Sequence, residues 1–548
     1  MYILGLNGGL RHDASVCLMQ DNEVIFMAEE ERFIYKKHAT SEVPTKATLA
    51  ALNHAGITMD DVDHISLGWE ITDDTLDIIE PLLSHRLLAP KSLPSISMVD
   101  HHMAHAASAY YSSGMDEATI VVIDGSGEHG QATSLYHGKG GQLKLLDALG
   151  HEHSLGHFYE AATRYLGMKS GNEGKTMGLA SYGEVIDPIE PLKVLPSGYR
   201  VTLKNKYIEQ NRDSSIVLSW FDWFQEQFGK RIIPDLWLER DTNQFYYENP
   251  YTQNHKNIAA SVQHALQEAI LSTCKMAIQA TGCRNLVLTG GVALNCSANG
   301  KVMDSGIADE LYLLPASSDA GTALGAAQLC YLHQSQATKP LQPIRSAALG
   351  TRYSNDEVLQ AIKHFGLTAK RCDDIALEVA KKIGENKVVG WFQGAMEVGP
   401  RALGQRSIIA NPSSKAMLDH VNVVKGREAW RPLAPSLQRE HAGDYLENDM
   451  FEPFMLTARK VKEELRDQVS AITHVDHTCR PQLVDKQTHP RYWQLLEYVK
   501  QQTGHPMVMN TSFNLRGQTI VCTPRDAIQT FYASPIDCLA IEDYLLVK

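Results

Sequence analysis

A buried strand that runs directly into an acidic glycine turn constrains this chain more than any other feature. Ile120–Ile123 is apolar throughout and leads without a break into Asp124-Gly-Ser-Gly127, after which Ala132–His137 returns as a second strand. A strand buried on both faces needs a layer of helices or strands on each side, so the fold is layered α/β. Glycine lets the chain reverse where a side chain would collide. The same unit stands at the start: Tyr2–Asn7, a Gly-Gly turn, then Ala14–Met19 and Glu23–Glu29 as further strands. Thr45–Ala55 has helical periodicity, Ile65–Trp69 returns to strand, and Leu286–Leu288 runs into Thr289-Gly-Gly-Val-Ala-Leu-Asn295. Two related halves follow, although no repeat is visible by identity.

At 548 residues the chain exceeds what one core supports, roughly 250–300 residues, so at least two domains are expected. The stretch Gln334–Ser346 is polar, holds two prolines and lacks periodicity, and is expected to be a linker. It divides the chain into residues 1–340 and 347–548. Residues 185–255 interrupt the rhythm with Pro188, Pro191 and Pro196, then Trp220-Phe-Asp-Trp-Phe224 and Phe245-Tyr-Tyr247. They read either as an insertion or lid, or as a packed helical subdomain; Ile258–Ala280 is then a long helix.

The 51 Lys and Arg against 64 Asp and Glu give a net charge of −13. That excludes a non-specific nucleic-acid binder, which needs a basic face. No apolar run approaches the ~20 residues of a membrane span, and Met1–Asn7 has no basic leader, so a membrane partner is not expected. The nine scattered cysteines form no C-x-x-C pair. The expected compartment is the reducing cytoplasm.

Asp100-His-His-Met-Ala-His105 favours a helix with Asp100 as N-cap. His101 and His105 then lie at i, i+4 on one face, close enough to share a metal ion. Asp124 at its glycine turn, and Asp319 in Ser317-Ser-Asp-Ala-Gly321 ahead of helix Thr322–Tyr331, are either further ligands or turn caps. Two His with one or two Asp suit Fe(II), Mn(II) or Zn(II) better than Ca or Mg.

Three glycine turns are candidates to cradle a nucleotide through backbone N–H groups. They place Gly125, Ser126, Gly127, Gly290, Gly291, Asn295, Ala320 and Gly321 in the candidate site. Neither a Walker A motif nor a G-x-G-x-x-G fingerprint is present. Three such turns over two halves resemble a split nucleotide site of the actin/sugar-kinase/Hsp70 kind.

Residues 1–335 resemble the metal-dependent branch of that superfamily, the Gcp-like tRNA threonylcarbamoyl-transferase domain, with H-x-x-x-H, strand-Asp-Gly, T-G-G-V-A-L-N and S-S-D-A-G in the expected order. The whole chain resembles the O-carbamoyltransferase family of nodulation-factor, cephamycin and tobramycin biosynthesis. Gly5-Leu-Asn with His12-Asp13, Glu29-Glu-Glu-Arg32, Glu173-Gly-Lys-Thr-Met-Gly-Leu-Ala180 and Asn510-Thr-Ser-Phe-Asn514 carry that likeness. The resemblance implies an actin-like first domain joined to a YrdC-like α/β domain that binds carbamoyl phosphate and ATP. It places Lys425, Arg431 and Arg480 on phosphate groups, with Asn510 and Ser512 as hydrogen-bonding partners, Arg401 and Arg406 as weaker candidates, and Lys175 among the nucleotide contacts. Arg525 stands where the pattern has an acidic residue.

By the same resemblance the chain is an ATP-dependent enzyme that moves the carbamoyl group, via O-carbamoyl-adenylate, to a hydroxyl of a small-molecule natural product. Mg accompanies the ATP, and Fe(II) is the expected ion at His101, His105, Asp124 and Asp319. His12 is either the base for the attacking hydroxyl, oriented by Asp13, or a structural imidazole. Rivals are a tRNA-modifying enzyme, against which the −13 charge counts, and a hydrogenase-maturation carbamoyltransferase, which would carry cysteine zinc modules. A non-catalytic nucleotide-binding module is the third. The acceptor is unspecified, and the oligomeric state is open, a homodimer included.

Overall fold

The computed structural model describes residues 1–9, 11–70, 72–186, 188–204, 206–207, 213–231, 251–336 and 341–548. Its first part is built on two five-stranded sheets. One contains β1 (Tyr2–Asn7), β2 (Ser15–Gln20), β3 (Glu23–Glu29), β4 (His64–Leu67) and β5 (Ser95–Met98), in the order β3-β2-β1-β4-β5. The other contains β6 (Glu117–Ile123), β7 (Gln131–Lys139), β8 (Gln142–Gly150), β11 (Asn285–Thr289) and β12 (Glu310–Leu313); β9 (Leu192–Leu195) and β10 (Gly198–Val201) pair as a separate hairpin. Its order is β8-β7-β6-β11-β12. In both sheets three antiparallel strands are continued by two parallel ones. The two expected halves are therefore present as a topological repeat, the duplicated arrangement of the actin/sugar-kinase/Hsp70 fold.

Each half starts on its most apolar strand: residues 3–7 of β1 and 118–123 of β6 are all buried. Strand β4 ends at Leu67, short of the expected Trp69. Trp69 instead turns inward to stack on His101, with ring centroids 3.7 Å apart.

Between the sheets lie the helices His101–Ser113 and Thr322–Ser335. Asp100 caps the first as expected, accepting the Met103 N–H at 2.7 Å. Gly325 allows the two helices to touch, because a Cβ there would lie 1.9 Å from the Ala104 carbonyl oxygen. That approach sets His101 and His105 against Asp319, three residues before the second helix begins.

Helix Asp213–Phe228 belongs to the packed core of the first part. Trp220 and Phe224 are fully buried, Trp220 lying 4.7 Å from the Phe158 ring. These aromatics are packed in the core; Phe245–Tyr247 lie outside the described residues. Gln334 and Ser335 close a helix instead of opening the expected linker, and 337–340 fall outside the described residues.

The C-terminal part is α/β around one mixed eight-stranded sheet. Its strands run in the order Lys370–Arg371, Tyr544–Val547, Cys538–Ile541, Val389–Phe392, Arg406–Ala410, Met507–Ser512, Ala434–Gln438 and Gln482–Val484. Helices Ile375–Gly384 and Pro490–Thr503 share one apolar cluster with the sheet, and Asn355–His364, Lys415–Lys425 and Pro524–Tyr532 share another. Among the described residues no helix is long and apolar enough to cross a membrane. All nine cysteines are free thiols.

Gly325→Ala is expected to destabilise the protein by about 1–3 kcal/mol, since the helix pair has no room for a methyl group. It should also lower the metal content, because the pair carries the His and Asp side chains. Denaturant unfolding and metal analysis of the variant check both.

Candidate active site

Four side chains converge where the two halves meet. His101 and His105 present Nε2 atoms 3.2 Å apart. The Asp124 carboxylate, at the end of β6, lies 3.3 Å from one and 3.5 Å from the other. Asp319 lies 3.7 Å from both. All four are buried. His101 Nδ1 faces the Gly68 carbonyl at 3.2 Å, which assigns its proton to that side and leaves Nε2 as a lone pair. Two imidazole nitrogens and two carboxylates then share one space. A cation about 2.1 Å from four tetrahedral donors separates them by about 3.4 Å, so the spacing fits a first-row metal ion.

The proton-binding behaviour agrees. Burial opposes the charged form of His105, but the hydrogen bonds to Asp124 and Asp319 outweigh it and push the pKa up to about 9. Burial likewise opposes ionised Asp124, yet His101 and His105 hold it well below the carboxylate range. His102 points away, is pushed down to about 3 by burial and by His101, and pairs with Ser134 at 2.8 Å. Asp124 is aimed by the Gly291 N–H, 2.9 Å from Oδ1. The turn behind it requires Gly290, at φ 88°, where a Cβ would lie 2.3 Å from the Ile123 carbonyl oxygen.

His12 stands beside this cluster, its Nδ1 3.5 Å from Asp13 and 3.8 Å from Asp319. Asp319 and then Asp13 push its pKa up to about 10, so in the metal-free protein the imidazole is a cation. Asp13 also pairs with His38 at 2.9 Å. Burial opposes its charge, but the two histidines hold the carboxyl below its usual range.

A second cluster is cationic. Arg401, Arg427, Arg431 and Arg480 face one cavity of about 860 Å³ whose walls also include His12, Asp124 and Asp319. Burial, and then the neighbouring Arg480 charge, lower the Arg401 pKa to about 9. Burial lowers Arg431 as well, against the pull of Glu428. Arg401 Nε and Arg480 Nε are buried without hydrogen bonds. Guanidinium groups that share so few counter-charges form a strong sink for an anion. Lys175 enters from the first part and pairs with Glu428 at 2.9 Å.

Residues 75–328 match the model described as "Carbamoyltransferase N-terminus", and residues 380–548 the model described as "Carbamoyltransferase C-terminus". The chain is 34% identical to the uncharacterized protein sll1178 of Synechocystis sp., over all of this chain and 97% of that one. It is 32% identical to the nodulation protein NolNO of Sinorhizobium fredii, over all of this chain and 83% of that one. The chain belongs to the carbamoyltransferase family. Among solved structures, HypF of T. kodakarensis matches at 13% identity and a TM-score of 0.35, over 62% of this chain and 49% of that one.

In this carbamoyltransferase the expected ligand set His101, His105, Asp124 and Asp319 is assembled as one cluster. Gly125, Lys175, Gly291, Asn295, Arg401, Arg431, Arg480, Asn510 and Ser512 lie on the cavity wall. Ser126, Gly127, Gly290, Ala320 and Gly321 are not on that wall. Two assignments need correction. Arg406 is fully buried, donates to the Gln393, Gln405, Thr351 and Gly394 carbonyls, and stacks on Phe392, so it braces a loop and meets no ligand. Lys425 Nζ is surrounded by oxygens of Ser512 and Asn514 at 2.5–3.3 Å and is off the cavity wall. It orders those two residues instead of gripping a phosphate. Sequence reasoning missed Arg427, which sits inside the Lys425–Pro432 stretch, and Lys37 and His38, which no local pattern marks.

His101→Ala or His105→Ala is expected to abolish binding of about one transition-metal ion per chain, because one imidazole and two carboxylates offer three protein donors instead of four and hold a divalent ion far more weakly. Elemental analysis of wild type and variants checks it; full occupancy in the double variant contradicts the assignment.

Proposed function

We propose that the protein is an ATP- and carbamoyl-phosphate-dependent O-carbamoyltransferase acting on a hydroxyl of a small-molecule natural product. Residues 347–548 form O-carbamoyl-adenylate, and residues 1–340 use it. One observation supports this reading: the histidine–aspartate cluster, through Asp124 and Asp319, and the arginine cluster open into the same cavity of about 860 Å³. An activated intermediate made at one wall has only this cavity to cross to reach the other.

The chemistry balances in three steps. Water cleaves carbamoyl phosphate to carbamate and phosphate. A carbamate oxygen attacks the α-phosphorus of ATP, forming O-carbamoyl-adenylate and expelling pyrophosphate. The acceptor hydroxyl then attacks the carbonyl carbon, and AMP leaves. Arg401, Arg427, Arg431 and Arg480 hold the phosphate oxygens and offset their charge, with Asn510 and Ser512 orienting the carbamoyl end. Gly125 and Gly291 offer backbone close to the nucleotide. His101, His105, Asp124 and Asp319 would hold Fe(II), or Mn(II) or Zn(II), which supplies Lewis acidity toward the adenylate phosphate. His12, aimed by Asp13, receives the hydroxyl proton once the charge of Asp319 is engaged elsewhere. Mg accompanies ATP, and nucleic acid is not a substrate.

Pyrophosphate release from ATP is expected to require carbamoyl phosphate. Arg431→Ala or Arg480→Ala should reduce it by about 10–100-fold through the loss of charge-assisted hydrogen bonds. His12→Asn should keep pyrophosphate release and slow carbamate-ester formation on supplied alcohols and sugars. A pyrophosphate assay joined to mass detection of product checks both steps. Release independent of carbamoyl phosphate contradicts the reading.

A further inference from the structure

The loop that carries Arg401 is held by the opposite half of the protein. Glu29, at the end of β3, accepts the Gly399 N–H at 2.5 Å. Arg32 Nη2 donates to the Gly399 carbonyl at 2.7 Å. Both side chains are buried, and Arg32 is only 1% exposed. They are tied together through Arg32 Nε, 3.7 Å from Glu29 and 3.2 Å from Glu31. One residue is thus gripped at both its peptide groups by a carboxylate and a guanidinium that are fixed to each other.

The gripped residue tolerates no other geometry. Gly399 is at φ 88°, and a Cβ there would lie 2.2 Å from the Pro315 carbonyl oxygen. Pro315 begins the short segment that leads to Asp319. Pro400 and Arg401, the next two residues, are on the cavity wall. Two residues upstream, the buried Glu397 accepts the Leu403 and Arg406 N–H groups at 2.8 and 3.1 Å. The base of the loop is therefore fixed by its own domain, and its tip by the other.

We propose that Glu29 and Arg32 are positioning residues for the anion site: by clamping Gly399 against Pro315 they set Arg401 in the cavity and tie its placement to the segment carrying Asp319. This rests on the reading of the arginine cluster as an anion site. It explains why two charged side chains, Arg32 at the cavity wall and Glu29 off it, are buried at the joint, where unpaired they would be costly. A lysine cannot reproduce the contact, because it lacks the planar fork that serves Gly399 and the carboxylates together.

The test uses the intact, metal-loaded chain and inorganic phosphate as the probe, with affinity read by calorimetry. Arg32→Lys and Glu29→Leu are each expected to weaken phosphate binding about 10-fold, as is Arg401→Ala, with bound metal unchanged. Because the clamp acts through Arg401, the double variant Arg32→Lys/Arg401→Ala should bind no more weakly than Arg401→Ala alone. Thermal unfolding identifies a variant that fails to fold, and the other clamp variant then carries the comparison. Wild-type affinity in a folded clamp variant would overturn the proposal, as would a second full 10-fold loss in the double variant. Absence of phosphate binding in the wild type would overturn it too. If the phosphate pattern holds while carbamoyl phosphate drives no pyrophosphate release, the clamp stands and the proposed function falls.

Discussion

Two imidazoles and two carboxylates directed at one buried point form an arrangement that must share protons or a metal ion to be stable. Like-charged and lone-pair donors 3.2–3.7 Å apart repel unless a proton or metal ion lies among them. The fold exists around that demand. The helix between the sheets supplies the histidines, the end of β6 supplies Asp124, and the turn before the next helix supplies Asp319. Gly290 and Gly325 make these approaches possible, and Trp69 packs flat on His101 to fix its ring.

Charge is then sorted along one cavity. The chain is acidic overall, at −13, yet four arginines gather on the C-terminal wall and face the anionic cluster on the other. Short-range order depends on paired groups away from the wall: Lys425 holds Ser512 and Asn514, and Arg406 braces the turn at Gln393 and Gly394.

Much of this was legible in the sequence. The i, i+4 spacing of His101 and His105 and the glycine turns at Asp124 and Asp319 reflect local backbone rules, so they could be read without contacts. The first sheets were legible for the same reason: a buried strand announces itself by composition. Arg406 and Lys425 were misjudged because a count of cations does not reveal which oxygens satisfy them, and both are satisfied internally. Glu29 and Arg32 stood out only as a motif; their partner, Gly399, lies some 370 positions away, and no local pattern links residues so far apart. Trp220 and Phe224 left a lid and a packed subdomain both open, because aromatic density marks a core as readily as a surface.

The account stands or falls on the two clusters sharing one chamber. The direct measurement is the ³¹P relaxation of phosphate bound to the intact protein, with Mn(II) in the His101–His105–Asp124–Asp319 site. Mn(II) is expected to broaden the bound phosphate resonance strongly, and the effect should disappear in Arg480→Ala, where phosphate is lost, and in His105→Ala, where the ion is lost. Phosphate that binds the wild-type, Mn(II)-loaded protein yet relaxes as it does in the metal-free protein would contradict a shared chamber.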